Sequence, residues 1–145
     1  MTKTWVVVAD EAKARILSMS KLNEPLIEFK TTSSLEAKML DQELVSDKSG
    51  RSYDSSGEGR HSMGEKHAHK EQYGIRFAKE IADYLEENRQ RSAYLKLIII
   101  AAPHFLGVLR KALSKDVLSL VILEVDKDLT MMDSQVIREH LPASL

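Results

Sequence analysis

The residues of this chain with chemistry to offer crowd into one polar stretch, "DKSGRSYDSSGEGRHSMGEKHAHKEQ", from Asp47 to Gln72. Gly50, Gly57, Gly59 and Gly64 give its backbone access to positive φ and close approach to a partner. Arg51, Arg60, Lys66 and Lys70 carry donors for charge-assisted hydrogen bonds to phosphates. His61, His67 and His69 add ring nitrogens suited to zinc or to proton transfer. "HAH" on a helix would set its two rings about 200° apart, however, and it lacks the i, i+4 spacing of a helical metal pair. The sequence therefore predicts no metal and no other cofactor. Ser52, Ser55, Ser56 and Ser62 stand near His61 without a "GxSxG" elbow to activate a hydroxyl.

Compact domains seldom carry so long a polar run without a use for it, so residues 47–70 read as a flexible projecting loop. Net charge is −1 over 145 residues, so a phosphate-binding activity must come from a local patch. The chain has no cysteine, which excludes disulfides, thiolate metal sites and cysteine nucleophiles. The N-terminal apolar run breaks at Asp10 and Glu11, too soon for a signal peptide. Leu97 to Ala102 falls far short of a membrane span. These features predict one cytoplasmic domain, residues 1–145, with no membrane insertion.

The elements that must position the loop follow from periodicity. "TWVVVAD", "KARILSMS" and "LIEFKTT" read as three strands joined by short polar links, an antiparallel meander. Ser33 and Glu36 form a capping box ahead of a helix, "LEAKMLDQELV". Beyond the loop, Gly74, Phe77, Ala78, Ile81 and Leu85 recur at helical steps, predicting a long helix over 71–91 that could start near Glu65. "YLKLIIIAAP" is a strand apolar on both faces, followed by the helix "HFLGVLRKALS". "VLSLVILEVD" is a further strand, and Asp133 caps a last helix, "SQVIREHL". The order β-β-β-α-(long loop)-α-β-α-β-α predicts an α/β protein with a mixed five-stranded sheet of RNase H-like architecture.

That architecture raises the prospect of two-metal nuclease chemistry, which requires carboxylates converging on paired cations. Asp10 ends the first strand, and Glu71 or Glu80 could project from the long helix. No acid occurs from Leu97 to Gly107, where a further one is required, and Asp126 and Asp128 come only after the next strand. Asp10 reads as a turn residue.

The runs "DQELVSDKSGRSYDSSGEGRHSM", "RFAKEIADYL", "LIIIAAPHFLGVLRKAL", "DKDLT" and "IREHL" resemble the bacterial host attachment protein family, proteins required for attachment to host cells. The most specific parts are Gly50-Arg51-Ser52, Asp54-Ser55, Gly57, Gly59-Arg60-His61, and Ala102-Pro103 with Phe105-Leu106-Gly107. The family is in turn similar to the middle domain of archaeal and eukaryotic class I release factors and of Pelota. There a glycine-rich loop ahead of a long helix enters the ribosome. The resemblance implies the same place for Gly57-Glu58-Gly59-Arg60-His61, with Arg76-Phe77 early in the helix. It departs in having no Gly-Gly-Gln, Glu58 standing between the glycines.

The reading that follows is a host-attachment-family protein that binds the ribosome or another structured RNA. Arg51, Gly57, Gly59, Arg60 and His61 form its binding set, with His104 facing the same groove or capping its helix. The alternatives are an ester or peptidyl-tRNA hydrolase using His61 and Glu58, and a protein-interaction module acting indirectly in attachment.

Overall fold

The computed structural model describes residues 3–20, 24–34, 39 and 58–142, with side chains in the last span from Gln72 onward. Three strands, β1 (Thr4–Ala9), β2 (Lys13–Met19) and β3 (Ile27–Ser33), open the chain. Helix α1 (Glu58–Gln90) leads to β4 (Lys96–Ala101), α2 (Pro103–Ala112) and a single turn, α3 (Lys115–Leu118). Strand β5 (Val121–Val125) and α4 (Ser134–Glu139) complete the order. The sheet runs β3-β2-β1-β4-β5. The meander β1-β2-β3 is antiparallel, whereas β4 lies parallel to β1 and β5 parallel to β4. This is a five-stranded mixed sheet, as the sequence predicts. Of the predicted helix at 35–45, only Met39 is described, and its backbone is helical.

Strands β1 and β4 sit at the centre because their side chains are apolar in both directions. Trp5, Val7, Ala9, Leu97, Ile99 and Ala101 line one face, packed under α1 and α2 through Phe77, Ile81, Leu85, Phe105 and Leu109. Val6, Val8, Ile98 and Ile100 line the other, covered by Leu129, Ile137 and Leu141 around α4. Asp133 caps α4 by accepting from the Val136 amide at 2.9 Å, as its type and position predict.

Trp5 gathers the aromatics, with ring centroids 4.8 Å from Tyr94 and 4.9 Å from Phe29. The pairing of β2 with β3 shifts between Ile16, opposite Lys30, and Leu17, opposite Glu28. Phe29 is the residue left over, a bulge that puts one extra side chain on the strand. Phe29 then reaches Trp5 while Lys30 sits 4.7 Å from the Tyr84 ring centre.

The end of α1 is fixed from several sides. Ser92 takes the left-handed conformation, φ 58°, and Ala93 N–H donates back to the Asn88 carbonyl at 2.9 Å. Tyr94 is buried and its hydroxyl donates to the Leu85 carbonyl at 2.7 Å; burial first, then the Glu86 charge, pushes its pKa up to about 12. Glu86 accepts from Arg89 and from the Ser114 hydroxyl, at 3.0 Å for the latter, joining α1 to the α2–α3 junction. The Arg89 hydrogen bond chiefly holds the Glu86 carboxyl down at about 2.

Candidate functional site

In an open sheet of this kind the natural crevice lies beyond the carboxyl ends of the parallel strands, where neighbouring connections leave in opposite directions. That point falls between β1, which turns away into β2, and β4, which leads into α2. Asp10 and Glu11 follow β1 there, and Ala102, Pro103 and His104 follow β4. Helix α1 passes the same edge, because a Cβ built on Gly74 would lie 3.6 Å from the Glu11 Cβ.

Asp10 is a turn residue in fact. Its Oδ1 accepts from the amides of Ala12 and Lys13 at 2.8 and 2.7 Å, and its Oδ2 accepts from the Thr130 hydroxyl at 3.1 Å. Thr130 Oγ1 also lies 2.8 Å from Asp128 Oδ1, so the two aspartates share one hydroxyl. Both carboxylate oxygens of Asp10 are thus engaged in holding the fold. Among the residues with described side chains, no three histidines or carboxylates converge as metal ligands.

Arg15 ties this corner together, and sequence reasoning missed it. It lies in β2 with its side chain 10% exposed, bonded through Nε and Nη2 to Glu28 at 2.7 and 2.6 Å. Its Nη1 donates to the carbonyl of Thr130 at 3.0 Å and to that of Met132. One guanidinium therefore ties β2, β3 and the β5–α4 loop. Burial works to raise the Glu28 carboxyl, but hydrogen bonds from Thr31 and Arg15, with the charges of Arg15 and Lys13, hold it below its ordinary value. The available signal was a lone arginine inside "KARILSMS", a strand otherwise apolar at its centre.

The residues expected to form the binding loop fall differently. Arg51 and Gly57, with the rest of 47–57, lie outside the described residues. Glu58, Gly59, Arg60 and His61 form the first turn of α1, so the backbone of 58–70 is helix and not loop. The helix begins at Glu58 and not at about Glu71. The cause is propagation: once Gly74–Gln90 is folded against the sheet, each further residue adds one hydrogen bond without a new nucleus. Residues 58–73 contain no proline or β-branched residue to stop it, and the glycines cost only about 1 kcal/mol each. His67 and His69 lie within this helix, two positions apart and so on opposite sides.

His104 stands apart from that turn, exposed at the second position of α2. The N-cap position of α2 is Ala102, which makes no side-chain cap hydrogen bond, and Pro103 opens the helix. Nor does Gly107 mark a close helix–sheet contact, since a Cβ there would meet nothing within 4 Å. The structure thus unites Glu58, Gly59, Arg60 and His61 on one turn and leaves His104 on another element.

Helix α1 has 33 residues and is about 50 Å long, whereas the six-residue strands it runs along span about 20 Å. Its packed residues begin at Gly74 among those described. What the fold and its edge define is a mixed α/β domain whose central helix outruns its sheet. The chain belongs to the family of proteins required for attachment to host cells, whose model matches residues 5–141. No curated protein matches it. Among the described residues no helix is long and apolar enough to cross a membrane.

Proposed function

We propose that this protein is a cytoplasmic interaction module that binds the ribosome or another structured RNA with the N-terminal half of α1, and that its part in host attachment is indirect. The observation that carries this is the overrun of α1. The helical backbone runs for sixteen residues ahead of Gly74, the first buried position among the described side chains of α1. That half carries Arg60, Lys66 and Lys70, whose cationic groups suit phosphates.

Two further considerations support the reading. The strand order and directions are those expected of the RNase H-like architecture that release-factor middle domains share. The residues Gly57-Glu58-Gly59-Arg60-His61 come just before and at the start of the long helix, where the resemblance to those factors sets the ribosome-entering segment. Binding is favoured over hydrolysis because the chain has no Gly-Gly-Gln, Glu58 standing between the glycines.

The test is co-sedimentation with purified ribosomes across a salt series, wild type against Arg60→Ala. Association falls steeply with ionic strength, and loss of one phosphate contact flattens the log–log slope by about 0.7–0.9. Absence of association at low salt refutes the reading and directs the search to a protein partner.

A further inference from the structure

Helices α1 and α2 run side by side, in the same direction and in one register. Phe77 meets Phe105 with ring centroids 6.2 Å apart, and Glu86 accepts from the Ser114 hydroxyl at 3.0 Å. Both pairs are 28 positions apart in the chain, so each residue of this part of α1 lies level with the one 28 further on. Lys79 stands two turns ahead of Glu86 and so on the same side of α1, the side that meets α2. The residue level with Lys79 is Gly107, as Ser114 is level with Glu86. Gly107 offers no side chain, and a Cβ built there would meet nothing within 4 Å. An interior glycine weakens a helix relative to alanine, and here no packing contact calls for one.

This notch is bordered along α2 by His104, one turn before it, and Lys111, one turn after, both exposed as Lys79 is. Neither Lys79 nor Lys111 pairs with an acid among the described residues. Helix α2 contains no acid, and its other cation, Arg110, is turned to Glu124 of β5. The acids of α1 and α3 lie off the notch. Asp83 is rotated about 40° further from α2 than Lys79 is. Glu80 is one turn ahead of Tyr84, which meets Lys30 of β3. Glu86 is held by Arg89 and Ser114, and Asp116 lies 3.7 Å from Arg89 at the far end of the helix pair.

We infer that this notch, with Gly107 as its floor and Lys79, His104 and Lys111 around it, is a second phosphate-contact site for the same structured RNA. This rests on the RNA reading above and extends it from α1 onto α2, which begins level with Ile75, beside the first buried position of α1. The occupant is RNA by charge complementarity: cations from two helices border a strip of bare helix backbone that a phosphate chain can approach closely.

The experiment compares two double variants with the same change of net charge. Lys79→Gln with Lys111→Gln strips the notch, while Lys3→Gln with Lys127→Gln removes two exposed lysines outside both helices. Both are first matched to wild type in helicity and melting temperature, and then titrated onto purified ribosomes over a salt series. The expected result is a roughly tenfold loss and a log–log slope flattened by about 1.5 for the first pair only. The second pair stays within about threefold of wild type, the residual long-range charge effect. Equal losses in both pairs, or full binding by the first, overturn the notch assignment and leave the RNA reading in place. No binding by wild type overturns the RNA reading, and the occupant of the notch with it.

Discussion

At the scale of single residues, the one doing most for the candidate edge is Arg15. Its guanidinium is nearly buried, and its partners come from β3 and from the loop that carries Thr130 and Met132. Arg15→Ala leaves the Glu28 carboxylate and two carbonyls short of a donor, which costs about 2–4 kcal/mol in chemical denaturation. The same pair sets an acid limit. The Glu28 pKa in the folded chain lies below its ordinary 4.5, so the folded state binds fewer protons than the unfolded one in that range. Its contribution is present above pH 4.5 and is lost as pH falls through the lowered value. Denaturation midpoints measured through that acid window fall less steeply in Arg15→Ala than in wild type. Glu86, held at about 2, adds a similar but separate acid sensitivity that Arg15→Ala leaves intact.

At the scale of elements, the two halves of α1 belong to different economies. From Gly74 onward the helix is stabilised by burial of Phe77, Ile81 and Leu85, and before it the described backbone continues the hydrogen-bonded helix. Ala68→Pro separates them, because proline removes an interior hydrogen bond and clashes with the preceding turn. Circular dichroism of that variant shows reduced helicity with a denaturation midpoint close to wild type, and ribosome binding is lost. A large fall in the midpoint would show instead that residues 58–70 are part of the cooperative fold. This helix is also where sequence reading was weakest. The packed half was legible because Phe77, Ala78, Ile81 and Leu85 repeat at three- and four-residue steps. The half before it has no apolar repeat to reveal a period, and its glycines and charges suggest a loop. Helicity there is inherited from the neighbouring turn, a cause that a local window does not contain.

At the scale of the whole molecule, the order of the five strands was legible from hydrophobic period and turn residues. By pattern the last strand starts at Val117, whereas Lys115–Leu118 form the turn α3, capped by Ser114, and the strand is Val121–Val125. Strands β1 and β4, apolar at successive positions, announced a sheet covered on both sides, and the capping aspartate announced α4. What was not legible were connections between distant residues, such as Arg15 with Met132 or Asp10 with Thr130, because nothing in a sequence window links residues so far apart. Amides at the centre of β1 and β4 exchange with solvent only through global unfolding, since both faces above them are closed. Hydrogen-exchange mass spectrometry should give those strands the full unfolding free energy and peptides from 58–70 far less; equal protection would mean that the overhang is buried in a way the packed half does not require.

The bulge on β3 has a bearing on how this protein behaves in a crowd. Strand β3 forms one margin of the sheet, and its ladder with β2 changes spacing midway, at Phe29. A foreign strand approaching that margin meets hydrogen-bonding groups out of step with its own, and beside them the charges of Glu28 and Lys30. Flat, evenly spaced margins seed polymers of stacked sheets, while a kinked and charged one stops growth at the first copy.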